Sequence, residues 1–270
     1  MIERWSQGTA DLGMAEEILL ELTEQVRRHP WWQARAALVL ALLGRLNIVP
    51  PARILDVGCG WGVTLEALEK SGYRAFGMDI SRRTLESLDR PDRRLIEADL
   101  SQPLETVPLP FDAILALDVL EHLDDDRAAV RRLEMLVRPG GALILSVPAL
   151  PDLFSEFDAI QKHRRRYLPE TVQAVFADST LQLEQLLWWG RWLVPALKRQ
   201  RSRPRARPGE TPAQVYRHYL TLPPWPFPWI ARLAFHYEQE RALRGSLKIG
   251  TSLFAVARRP VHGAMPRAGM

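Results

Sequence analysis

The stretch that most constrains this chain is Arg53–Asp79, RILDVGCGWGVTLEALEKSGYRAFGMD. Ile54, Leu55 and Val57 form a short apolar run of the kind a buried parallel strand has, and Asp56 interrupts it just before Gly58, Gly60 and Gly62. From Val63 the apolar spacing becomes helical, with Val63, Ala67 and Leu68 on one face, until Ser71-Gly72 stops it. Ala75 to Met78 then reads as a second strand that closes on Asp79. A strand, a glycine turn, a helix and a strand ending in an acid make the edge of an open parallel sheet where ligands bind. The glycines let backbone approach a ligand, and the acid can accept both hydroxyls of a ribose.

A Gly-x-Gly opening also begins the dinucleotide fingerprint, which would put its third glycine at position 63, where this chain has Val63. The loop reads Gly-x-Gly-x-Gly instead, and here the sequence resembles the class I S-adenosylmethionine-dependent methyltransferases of bacterial small-molecule type. That resemblance implies S-adenosyl-L-methionine as cofactor. It sets Gly58, Cys59, Gly60 and Gly62 around the methionine part with Asp56 supporting the loop, Asp79 and Ile80 at the ribose, Asp99 and Leu100 beside the adenine, and Leu117 at the end of the fourth strand. The turn Pro139-Gly140-Gly141 before an apolar strand resembles the same family, as does HPWWQARAALVLALL ahead of the glycine loop.

Before the loop, Leu12, Ala15, Ile18, Leu19, Leu22 and Val26 recur at helical spacing until His29-Pro30, and a second helix runs from Trp32 to Leu46. Trp31 and Trp32 read as packing residues. After it, Ser81 can cap a helix reaching about Asp89, and strands are expected over Leu95–Leu100, Phe111–Leu117, Ala142–Val147, Leu181–Trp189 and Ser252–Arg258. Asp124, Asp125 and Asp126 suit the start of a helix and are read as caps, so no metal site is expected. Pro169–Ala177 reads as a further helix. The expected fold is α/β, a doubly wound Rossmann-like sheet of seven strands, mostly parallel; by the resemblance, the last strand inserts antiparallel beside the fifth. Residues 1–49 form a helical extension, 50–260 the main domain with an insert at about 190–250, and 261–270 a tail.

Methyl transfer from a sulfonium is an in-line displacement in which the protein aligns donor and acceptor and, for a hydroxyl or amine, removes a proton. His122 follows the fourth strand, and His163 and Asp158 lie in FSEFDAIQKHRRRY past the fifth; these are the candidate bases. Arg164, Arg165, Arg166 and Tyr167 are available to an acceptor, with Arg166 and Tyr167 the binding candidates. A small hydroxylated or lipid-linked acceptor is expected. The rivals are a nicotinamide-dinucleotide (NAD(P)) oxidoreductase and a cofactor-binding protein without turnover.

The insert pairs Trp188, Trp189, Trp192, Leu193 and Leu197 with Lys198, Arg199, Arg201, Arg203, Arg205 and Arg207, followed by PPWPFPWIARLAFHYEQERAL. Its arginine and proline content favours a solvated, partly disordered loop. Peripheral contact with an anionic membrane through 188–235 comes second, and nucleic acid third, for want of an RNA-binding module. The net charge of +4 over 270 residues owes much to this local excess. A single cysteine, Cys59, excludes an internal disulfide and fits a reducing compartment. The N-terminus does not resemble a secretory signal, and no run reaches the ~18 apolar residues of a membrane span. The expected location is cytoplasmic, with the inner membrane face as an extension of that.

Overall fold

One sheet of eight strands carries the molecule: β1 (Ile2–Arg4), β2 (Arg53–Val57), β3 (Arg74–Asp79), β4 (Arg94–Glu97), β5 (Phe111–Leu117), β6 (Val137–Pro148), β7 (Gln182–Trp189) and β8 (Ser252–Arg258). Their order is β1-β4-β3-β2-β5-β6-β8-β7, and β8 alone runs against its neighbours. The structure is a computed structural model that describes residues 2–7, 16–104, 110–201 and 204–261. The expected helical positions Leu12 and Ala15, the basic Arg203 and all of the tail but Val261 fall outside those residues.

The count is eight strands and not the expected seven because β1 adds to the edge, pairing Ile2, Glu3 and Arg4 with Leu95, Ile96 and Glu97. Three residues, two of them charged, carry no period that sequence reading can detect. What holds them is tertiary: Trp5 is buried behind the strand, and Arg4 donates to Glu97 at 3.0 Å. The strand expected over Leu95–Leu100 ends at Glu97, so Ala98 to Leu100 leave the sheet at its ligand edge.

The helices are α1 (Glu16–Glu21), α2 (Thr23–Arg28), α3 (Pro30–Arg45), α4 (Val63–Lys70), α5 (Arg82–Leu88), α6 (Asp126–Leu136), α7 (Glu156–Ile160), α8 (Pro169–Ala174), α9 (Val194–Arg201), α10 (Pro212–Leu220) and α11 (Phe227–Leu243). Pro30 at the first position of α3 needs no donor, and the His29 ring accepts the Trp31 N–H at 3.2 Å. Ser81 caps α5 by accepting from Thr84 N–H at 3.2 Å, and Asp125 caps α6 by accepting from Ala128 N–H at 2.8 Å. The acids at 124–126 thus open the helix as the sequence suggested. The buried face of α4 is Thr64, Leu65 and Leu68, one step round from the expected Val63 and Ala67.

Successive residues of the central strands feed opposite cores, as expected for strands covered on both faces. Leu55, Ile114, Leu143 and Leu145 face α6, whereas Ile54, Leu115, Ile144 and Val256 face α3 and α11. The carboxyl ends of β2, β3 and β5 are left to open on a cavity.

The described residues of the insert form α9, α10 and α11 with their connections, and α11 packs on α3 and β7. The arginines are placed by partners that lie far off in sequence. Arg201 meets Asp158 at 3.4 Å and covers the Phe157 ring at 4.5 Å, and Arg205 donates to the His218 carbonyl at 2.7 Å. Where the insert leaves the sheet, the buried Glu238 of α11 accepts the backbone N–H groups of Gly190, Arg191 (3.0 Å) and Trp192 (3.1 Å). Glu238→Ala would leave those donors without an acceptor, at about 1–3 kcal/mol for each that stays dry. The expected result is a fall in Tm of ~5–10 °C by circular dichroism, with Glu238→Gln losing less; an unchanged Tm would show that the carboxylate does not anchor the insert.

Candidate active site

The cavity at the carboxyl edge of the sheet encloses about 1170 Å³ and is walled on one side by the turn between β2 and α4. Gly58 and Gly62 adopt φ of 66° and 72°, the left-handed region. A Cβ on Gly58 would stand 2.7 Å from Val119 Cγ2, and one on Gly62 would stand 2.9 Å from Leu88 Cδ2. The turn is tied to the next strand: Gly58 and Cys59 N–H donate to the Met78 carbonyl at 2.7 and 3.0 Å, and Gly60 N–H donates to Asp79 Oδ2 at 2.9 Å. The other Asp79 oxygen accepts from Ser81 N–H at 3.0 Å. Burial raises the Asp79 carboxyl above its ordinary range, and the backbone N–H groups of Ser81, Gly60 and Ile80 oppose that rise.

Asp56, Ile80, Asp99, Leu100 and Leu117 line the same cavity, so the expected cofactor residues converge. Burial pushes Asp56 up to about 7, against the nearby Arg35 charge and with that of Asp79. Cys59 is buried and its thiol is pushed up by burial, which agrees with a packing role. Asp99 accepts from Ser101 N–H at 2.8 Å, while its own N–H donates to Ser6 Oγ at 2.9 Å. The segment after the short N-terminal strand thus holds the backbone of Asp99, a contact with no sequence signal.

Sequence reading also missed the pair Arg35 and Asp118. Asp118 follows β5 with φ of 57°, its N–H donates to the Ser146 carbonyl at 2.9 Å, and its Oδ1 accepts from Ser146 Oγ at 3.1 Å. Its Oδ2 pairs with Arg35, whose guanidinium lies 4.8 Å from the Trp31 ring centroid. The usable signals were an acid directly after a strand and an arginine one turn beyond Trp31. Trp31 and Trp32 both pack and line the cavity.

His122 and His163 also line the cavity, with ring centroids 4.7 Å apart at 83°. Burial lowers His122 to about 3, so its ring is neutral. His163 Nδ1 lies 3.1 Å from Asp158 Oδ1. Asp158 is fully buried, where Arg166 Nε (2.8 Å), Arg201 Nη1 (3.4 Å) and Ser155 N–H (2.9 Å) also engage it, and it does not line the cavity. Arg166 touches the cavity, but its guanidinium is committed to Asp158 and to the Ala149 carbonyl at 2.8 Å. Tyr167 is buried with its hydroxyl donating to Asp126 Oδ2 at 2.9 Å and does not line the cavity. The remaining lining mixes aromatic residues, among them Trp61, Phe157, Tyr216, Trp192 and Phe235, with the basic Arg199, Arg201 and Arg205.

A glycine turn locked to the acid of the next strand, at the carboxyl edge of a sheet ordered β4-β3-β2-β5-β6-β8-β7 with β8 reversed, defines a class I methyltransferase fold. The chain belongs to the methyltransferase family: residues 27–206, two thirds of its length, match the family described as a methyltransferase domain. It is 28% identical over 157 residues to a ubiquinone biosynthesis O-methyltransferase of Paracidovorax citrulli, covering 52% of this chain and 64% of that one. It is 35% identical over 102 residues to the Pseudomonas aeruginosa protein of the same name, covering 35% and 43%. The chain thus spans less than two thirds of the length of these curated relatives. A Haloferax volcanii methyltransferase solved with a methyltransferase activator shares the fold, with a TM-score of 0.55 at 16% identity over 90% of this chain and 95% of that one.

The Asp56 shift has a pH consequence. Folded, this carboxyl keeps its proton up to about pH 7, whereas its ordinary value is 3.8, so the folded chain holds the extra proton between those limits. Its contribution to stability falls as pH rises through that window and stays lost above it. The Tm difference between Asp56→Asn and the parent, measured without ligand, should therefore grow in favour of the variant from pH 4.5 to 7.5. A pH-independent difference would mean that Asp56 is ionised throughout.

Proposed function

We propose that this protein transfers the methyl group of S-adenosylmethionine to the hydroxyl oxygen of a small acceptor that has an apolar portion. The observation that carries the reading is Asp79, held at the cavity rim between Gly60 and Ser81, where it can accept ribose hydroxyls while the bare glycine turn admits the methionine part. Arg35, paired with Asp118, lines the same cavity and would offer its charge to a ligand carboxylate. Val63 in place of the fingerprint's third glycine argues against a nicotinamide dinucleotide.

Gly58, Gly60, Gly62 and Asp79 would hold the cofactor, which would supply its methyl group to an acceptor oxygen aligned in line by the other cavity walls and leave as S-adenosylhomocysteine. His122 and His163 line the part of the cavity where the acceptor hydroxyl would lie, and Asp158 orients the His163 ring. Oxygen as the methylated atom is suggested by the relatives' O-methyltransferase names. Trp61 and Trp192 line the cavity with buried indole N–H groups that have no partner among the described residues, and so suit an oxygenated acceptor.

A lipid-linked acceptor fits the outer surface. Trp225, Trp229, Ile230, Leu233 and Tyr237 are exposed at or near α11, and Leu222, Pro223 and Phe227 of the same region line the cavity. Arg205, Arg207 and Arg232 supply positive charge nearby, each worth about 1 kcal/mol at an anionic surface. Peripheral contact with a bilayer would present the acceptor to the cavity mouth. Among the described residues no helix is long and apolar enough to cross a membrane.

Calorimetry should find S-adenosylmethionine and S-adenosylhomocysteine bound by the parent, with binding lost in Asp79→Ala. A preference for a nicotinamide dinucleotide would overturn the reading. Sedimentation with phosphatidylglycerol vesicles should be salt-sensitive and reduced in Trp225→Ser/Trp229→Ser; no sedimentation at low salt would remove the membrane contact and leave the cofactor assignment untouched.

A further inference from the structure

Glu121 has no accessible surface, and neither of its carboxylate oxygens has a hydrogen-bond partner among the described residues. A buried carboxylate without partners is retained at a cost unless a cation or proton completes it. Nε2 of His163 lies 3.8 Å from Glu121 Oε1. The other ring nitrogen of His163 faces Asp158, which leaves Nε2 as the coordinating atom. Beside it, His122 carries a buried Nδ1 that is likewise without a partner. One ligand atom from each of Glu121, His122 and His163 lies within 4.8 Å of the others.

We propose that Glu121, His122 and His163 bind a divalent transition-metal ion, with an open coordination position facing the cavity. Two imidazoles and one carboxylate suit zinc, manganese, iron(II) or cobalt(II), and three protein ligands with one open position is the pattern of a catalytic rather than a structural ion. Ligand atoms about 2.0–2.2 Å from a tetrahedral ion are about 3.4 Å apart, so side-chain rotation by roughly an ångström closes the set. Asp158, held by Arg166 and Arg201, takes the place of the carboxylate that orients a ligating histidine. Glu121 and His122 are adjacent on the short 3-10 turn Leu120–His122 after β5, and His163 comes from the segment past β6. Its use in catalysis rests on the function proposed above: the acceptor hydroxyl would occupy the open position, lose its proton to solvent water, and present oxygen to the methyl group.

The test uses tag-free full-length protein stripped with a chelator and titrated with cobalt(II), then zinc. Ligand-field bands of tetrahedral cobalt, displaced by one equivalent of zinc, are expected. Glu121→Gln and His163→Ala should each weaken zinc binding by about 100-fold or more, and Asp158→Asn by about 10–100-fold. S-adenosylhomocysteine binding, at the glycine turn and Asp79, should persist in Glu121→Gln and serves as the check that the variant is folded. Substoichiometric zinc, or the same affinity in Glu121→Gln as in the parent, overturns the site. Zinc binding by a parent that fails to bind S-adenosylhomocysteine would preserve the site and sink the methyltransferase reading instead.

Discussion

The tie between Asp79 and the glycine turn governs the rest of this molecule. A turn with left-handed glycines is costly to order, and here the acid that closes the next strand accepts from Gly60 on one side and from Ser81 at the cap of α5 on the other. Two strand ends, a turn and a helix start are thereby fixed relative to one another by one carboxylate. Asp79 makes those bonds while buried, and they oppose the upward push that burial gives its carboxyl.

This half of the site was legible because its logic is local. Alternation between a short apolar run, spaced glycines and a helical period is written within 27 residues, and the residue that decides between two kinds of nucleotide loop, Val63, sits inside them. The strands over Phe111–Leu117 and Ser252–Arg258 were legible for the same reason, being short and continuously apolar. What escaped was set by contacts between distant segments. The edge strand depends on Trp5 and Glu97, Arg35 depends on Asp118, and the helices after Gly190 depend on Glu238. Charge composition misled at Arg201 and Arg205, since a run of arginines reads as solvated until each one's carboxylate or carbonyl acceptor is known.

Asp158 shows how one buried acid can join the variable parts of such a fold. It accepts from Ser155 at the start of α7, from His163 and Arg166 in the next segment, and from Arg201 at the end of α9. Sequence position made it a plausible base, but four donors on two oxygens leave no capacity for an acceptor's proton. The same saturation makes it a good anchor: the ring of His163 and the inner end of the insert are fixed by a single group.

The cavity therefore divides by origin. Its glycine-turn wall comes from the sheet and is rigid, because every element there is tied to a strand end. Its other walls come from α3, from the segment past β6 and from the insert, and they are aromatic, basic and held by side-chain ion pairs. A fold of this kind can keep one cofactor and change its acceptor by altering only the second set. Trp192, Phe157 and Tyr216 in that second set are positioned by Glu238, Arg201 and Gln161, which belong to neighbouring chain segments.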